Sequence, residues 1–161
     1  MLQQPDRPSN HRPSSATWAL SGRGEAVAQA RDHVREFLTA FDHPVAPTTV
    51  CDSLLVTSEL VTNAVVHAPG LCLLHIGYHD GVLAIAVRDA SPTLPAPRVP
   101  DPAAADGGFG WRLLTSLTSR IDVQPHGGAG KTITAVLREA DCPERGRDGG
   151  RAHPRRTARG E

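Results

Sequence analysis

The stretch SELVTNAVVHA (residues 58–68) sets Glu59 and Asn63 four positions apart in an otherwise mostly apolar run. Four residues make about one helical turn, so a helix here brings the carboxylate and the amide out on one face, roughly 40° apart. Leu55 and Val66 fall beside them, while Leu54, Val61 and Val65 lie opposite and are expected to face a core. Placing such polar groups among apolar neighbours costs free energy unless each has a partner. Two readings stand: a polar stripe along a helix edge, or a general base one turn from an amide that can ligate a hard cation.

Working outward, the helix stops at Pro69-Gly70, a breaker pair, and begins after Pro44 and Pro47, where Thr48 or Thr49 can cap it. Before it, residues 24–41 repeat Val27, Ala30, Val34, Phe37, Leu38 and Phe41 at helical spacing, and residues 14–21 alternate like an edge strand. After it, LCLLHIGYHDGVLAIAVRDAS (71–91) reads as two strands joined at Asp80-Gly81, a strong hairpin signal. The proline-rich run 93–110 cannot be a helix or an internal strand. Residues 111–120 suit a short helix with a glycine-rich entrance, and residues 121–139 suit a second hairpin. Hairpins with helices between them argue for an α+β fold, helices covering one face of a mixed, mostly antiparallel sheet.

The bulk numbers agree with one domain. A chain of 161 residues buries one core. Lys plus Arg equals Asp plus Glu at 17 each, so no net field draws in nucleic acid or an anionic membrane. Cys51, Cys72 and Cys142 form no CxxC, which argues against a zinc or thioredoxin-type motif. The N-terminal residues lack the apolar stretch of a signal peptide, and a reduced, cytoplasmic protein is expected. Residues 1–13 and 139–161 are polar, charged and poor in apolar side chains. Both are expected to be disordered tails around a domain at 14–138.

Three further motifs bear on chemistry. GGAGKT (127–132) looks like a phosphate loop, but Pro125 replaces the first glycine and TITAVL alternates like a strand, so a turn and strand are expected. GGFG (107–110) ahead of a helix is either a structural turn or an anion-binding entrance, one end of a mobile cover. Asp89, ending a strand in AIAVRDASP, is either a turn former or a carboxylate that accepts from an amino group such as adenine's.

In this order the motifs resemble the GHKL ATPase superfamily, with its Bergerat nucleotide-binding fold. SELVTNAVVHA resembles its N box, VRDASP the first glycine box, GGFGWRLL the second, and GKTITAVL the final Gly-x-Thr strand. The likeness spans about residues 14–138 and is greatest to the small anti-sigma-factor serine kinases. It implies a two-layer Bergerat sandwich that binds ATP and Mg²⁺. Glu59 would then be the catalytic base and Asn63 the Mg²⁺ ligand. Asp89 would accept from the adenine amino group with support from Thr132, the loop 93–108 would be the ATP lid, and Gly108 and Gly110 would let backbone amides approach the phosphates. Implied partners are a sigma factor and an antagonist (anti-anti-sigma) protein, with a homodimer left open. A nucleotide-gated binding module without phosphoryl transfer is the alternative. The sequence departs from the family where Ala90, Ser91 and Pro92 follow Asp89 in place of glycines, and where only Arg98 and Arg112 offer a cation for the γ-phosphate.

Overall fold

The computed structural model describes residues 14–21, 24–41, 44–68, 70–95 and 109–139. The elements follow the expected order: β1 (Ser15–Leu20), α1 (Ala26–Thr39), α2 (Pro47–His67), β2 (Cys72–His79), β3 (Val82–Asp89), α3 (Phe109–Leu117), β4 (Arg120–Pro125) and β5 (Lys131–Arg138). The strands form one five-stranded sheet in the order β1-β2-β3-β5-β4, and every pairing is antiparallel. The fold is α+β, an open sheet with helices packed on it. The tail expected at 1–13, all but Glu139 of the tail expected at 139–161, and most of the expected lid lie outside the described residues.

Strand periodicity decides what faces the helices. Along β2 the buried residues are Cys72, Leu74, Ile76 and Tyr78; along β3 they are Leu83, Ile85, Val87 and Asp89. Along β5 they are Lys131, Ile133, Ala135 and Leu137. The period of two that buries the apolar series therefore also carries Asp89 and Lys131 inward, at the adjoining ends of β3 and β5. The β2–β3 hairpin closes at Asp80 (φ 47°) and Gly81 (φ 73°), the left-handed pair that a two-residue turn of matching twist requires.

Helix α2 is the centre of the helical layer, touching α1, α3, β2, β3 and β5. Its buried side is Thr49, Ser53, Val56, Thr57, Leu60, Val61 and Ala64. Of the three residues expected to face the sheet, Val61 is buried, whereas Leu54 and Val65 are half-buried. The buried face is centred differently because α2 packs on α1 and α3 as well as on the sheet. Ser53 and Thr57 are tolerated inside because their hydroxyls donate to the carbonyls of Val50 and Ser53, each at 2.7 Å. The helix is long and apolar enough to cross a membrane by length and composition, but here it packs as a core helix.

The start of α2 differs from the expected threonine cap. Pro47 occupies the first turn, where its missing N–H costs nothing, and no side chain of the preceding residues caps the helix. Instead Glu139 reaches across from the end of β5. Its Oε1 accepts from the Ala46 N–H at 2.8 Å, and its Oε2 accepts from the Tyr78 hydroxyl. A carboxylate at a helix N-terminus is favoured by the helix dipole. Glu139, assigned from sequence to the tail, is thus bonded into the fold.

The Tyr78 hydroxyl is pushed up to about 12, first by burial and then by the hydrogen bond and charge of Glu139. The folded chain holds this proton beyond the pH at which an unfolded tyrosine, with a value near 10, loses it. Its stabilisation is therefore complete below about pH 10 and disappears as pH rises toward 12. Thermal melts across that window should fall more steeply for wild type than for Tyr78→Phe. Parallel curves would show that the ionisation is not linked to folding.

Candidate functional site

Glu59 and Asn63 both lie half-buried on α2, at the border between buried Val56 and Leu60 and exposed Leu55, Thr62 and Val66. Glu59 turns toward the first turn of α3. A Cβ placed on Gly110 would stand 2.3 Å from Glu59 Oε2, so the carboxylate packs directly against this glycine, and a larger residue there would make the flexible Glu59 side chain shift. Around this contact is an open groove of about 460 Å³, lined by Glu59, Gly110, Arg112, Leu113 and Ser116. The groove brings together a carboxylate, a guanidinium and the entrance of a helix. Asn63 is one turn along the same helix, outside the lining.

Helix α3 starts at Phe109, two residues before the expected Trp111, so Gly110 belongs to its first turn. Leu114 is fully buried and anchors the helix, leaving Arg112, Thr115 and Ser116 exposed. Gly108 and Arg98 lie outside the described residues.

At the end of β3, outside the lining of that groove, Asp89 is 5% exposed. Its Oδ1 accepts from the Ser91 N–H at 2.8 Å, the turn-forming bond anticipated for a strand-end aspartate. The same oxygen accepts from Lys131 Nζ at 2.9 Å, in a buried ion pair. Lys131 also approaches the Ser91 carbonyl at 3.4 Å. The junction is tight: Gly130 has φ +108°, and a Cβ there would lie 1.9 Å from the Asp89 carbonyl oxygen. The buried Cys72 thiol is pushed up, first by burial and then by the nearby Asp89 charge.

The sequence reading missed Lys131. Counting back by two from Leu137 through Ala135 and Ile133 places Lys131, and not Thr132, on the inward face. Thr132 lies on the opposite side of β5, its Oγ1 hydrogen-bonded to His126 Nε2 at 2.8 Å. The fold thus brings Glu59 to Gly110 and Asp89 to Lys131, but does not turn Thr132 toward Asp89. GGAGKT is the expected turn and strand: Gly127 and Gly128 have positive φ, and His126 N–H donates to the Gly130 carbonyl at 2.9 Å.

Among the described residues, no group of three or more His, Cys, Asp or Glu side chains is placed to hold a metal ion. Asn63 and Glu59, one turn apart on α2, offer one amide oxygen and one carboxylate as oxygen donors of the kind a hard cation takes.

A family model described as histidine kinase-like ATPase domain matches residues 20–137. Comparison with curated proteins gives no match. Among solved structures, the chain is similar to the RsbU and RsbW domains of a Mycobacterium tuberculosis protein. The identity is 22% and the TM-score 0.59, over 78% of this chain and 32% of that one. It is also similar to a blue-light activated histidine kinase of Erythrobacter litoralis, at 20% identity and a TM-score of 0.48, over 72% of this chain and 41% of that one. The chain thus spans about a third of the length of the first of these structures.

Proposed function

The chain belongs to the histidine kinase-like ATPase domain family, and from that premise we propose that it is a Mg-ATP-dependent protein serine/threonine kinase of the anti-sigma-factor type. The observation that carries this reading is Glu59, whose carboxylate faces the glycine-containing entrance of α3 in a groove shared with Arg112. A non-catalytic binder has no need of a base at that position. A bound ATP supplies the phosphoryl group and, with Mg²⁺, the means of spreading its charge. Asn63 would hold the metal, and Glu59 would take the proton from an acceptor hydroxyl. Gly110, lacking a side chain, lets the Glu59 carboxylate sit against the first turn of α3. Asp89 would accept from the adenine amino group.

The acceptor would be a serine or threonine of a small antagonist protein, and the partner held in the other state a sigma factor. Mixing the chain with radiolabelled ATP, Mg²⁺ and such an antagonist tests the assignment. Label on the antagonist is expected, and its absence under conditions where ATP binds would overturn the kinase reading.

One observation favours a second reading, a nucleotide-gated binding module. Ala90, Ser91 and Pro92 follow Asp89, and Ser91 is buried against it, so the backbone there lacks the freedom that glycines confer. Such a protein would bind its partner more tightly with ATP and transfer nothing.

Asp89→Asn distinguishes base binding from fold. An amide presents a donor where an acceptor is needed, and it leaves Lys131 without its counter-charge. Titration with a fluorescent ATP analogue should show binding weakened by about 1–3 kcal/mol. Wild-type affinity in a folded variant would remove Asp89 from the base site.

A further inference from the structure

The Asp89–Lys131 ion pair is unusually placed for a structural one. Both side chains are more than nine-tenths buried, 3% and 6% exposed, yet they sit at strand ends, where the chain leaves the sheet at Ser91. Asp89 Oδ1 already accepts from two donors, Ser91 N–H and Lys131 Nζ. Its Oδ2 has no hydrogen-bond partner among the described residues, although no buried side-chain oxygen is left sealed off without one. Oδ2 is therefore the acceptor still available to a ligand. An ammonium has three N–H donors, of which one goes to Oδ1 and a second, longer one to the Ser91 carbonyl. The third has no protein acceptor among the described residues.

We propose that Lys131 is a specificity-determining residue that reads the nucleotide base jointly with Asp89. Asp89 Oδ2 accepts from the exocyclic amino group of adenine, and Lys131 Nζ donates to N1, the ring nitrogen beside it. This rests on the ATP-binding reading above and goes beyond it in assigning a second contact. A hydroxyl or a water can donate or accept, whereas an ammonium only donates. The pair is thus a fixed acceptor–donor edge, matched to adenine's amino group and N1. Guanine in the same orientation presents a carbonyl to the carboxylate and an N–H to the ammonium, so both contacts become repulsive. A site with buried polar groups rejects an analogue that leaves them unpaired.

The test compares ATP with 1-deaza-ATP, in which N1 is replaced by C–H, by equilibrium titration of the full chain and of Lys131→Met. Wild type is expected to bind ATP roughly tenfold or more tightly than the deaza analogue, as for one hydrogen bond to a charged group. Lys131→Met should bind both alike, near the weaker value. The wild-type comparison needs no variant, so it can overturn the contact even if removing the lysine unfolds the chain. Equal wild-type affinity for the two nucleotides would overturn the contact while leaving ATP binding intact. Tighter ATP binding by Lys131→Met would also overturn it, making the lysine a competitor of the base. Failure of wild type to bind either nucleotide would instead overturn the ATP reading itself, and this contact with it.

Discussion

Glu59→Ala is expected to lower phosphoryl transfer by about 10²–10⁴-fold, the range for loss of a general base. ATP affinity should stay near wild type, because Glu59 faces the α3 entrance and not Asp89, the proposed contact of the base. Phosphoryl transfer depends mostly on positioning and charge neutralisation, so binding and chemistry can be separated by residue. Asn63→Ala should behave differently and lose both, since it would remove the proposed metal ligand. The two variants need measuring side by side, by transfer assay and by nucleotide titration. Normal transfer by Glu59→Ala would end the assignment of this residue as the base. An inactive wild type that nevertheless binds a partner more tightly with ATP would establish the binding-module reading, with Glu59 holding a water.

Gly130→Ala is expected to have the largest effect on stability. The added Cβ would meet the Asp89 carbonyl oxygen at 1.9 Å and the Ala90 Cα at 2.8 Å, both backbone atoms with no rotamer to escape into. The φ of +108° adds strain that alanine cannot relieve. Conformational strain and overpacking each cost about 1–3 kcal/mol, so a loss of roughly 3 kcal/mol or more is expected. That is a large part of a typical domain's stability. Gly128→Ala is the matching control: its φ is also positive, at +88°, but nothing lies within 4 Å of the added atom. Urea denaturation should place Gly130→Ala well below Gly128→Ala. Equal midpoints would mean that β3 and β5 do not close on each other as described.

The features legible in the sequence are those written between near neighbours. Helical spacing marked α1 and α2, Pro69-Gly70 ended the second helix, and Asp80-Gly81 set the β2–β3 turn. The four-residue offset of Glu59 and Asn63 put both on one edge of α2, and period-two alternation marked residues 14–21 and TITAVL as strands. Each depends on bond geometry and steric preference over a few residues, and these act before any distant part of the chain arrives. Lys131 was legible by the same rule, since it continues the buried series from Leu137 through Ile133.

What a side chain meets is a different matter. Asp89 and Lys131 are 42 residues apart, and they become partners only because β3 and β5 pair in the register that sets one opposite the other. Glu139 is 93 residues from Ala46, and its bond to the start of α2 exists only once the sheet has brought the end of β5 beneath that helix. Glu59 meets Gly110 because α3 packs on α2, a contact to which neither segment's periodicity points. Local pattern assigns a residue to a face at almost no entropic cost. Choosing its partner across the chain requires loop closure and the packing of whole layers, so those contacts were settled by the tertiary structure alone.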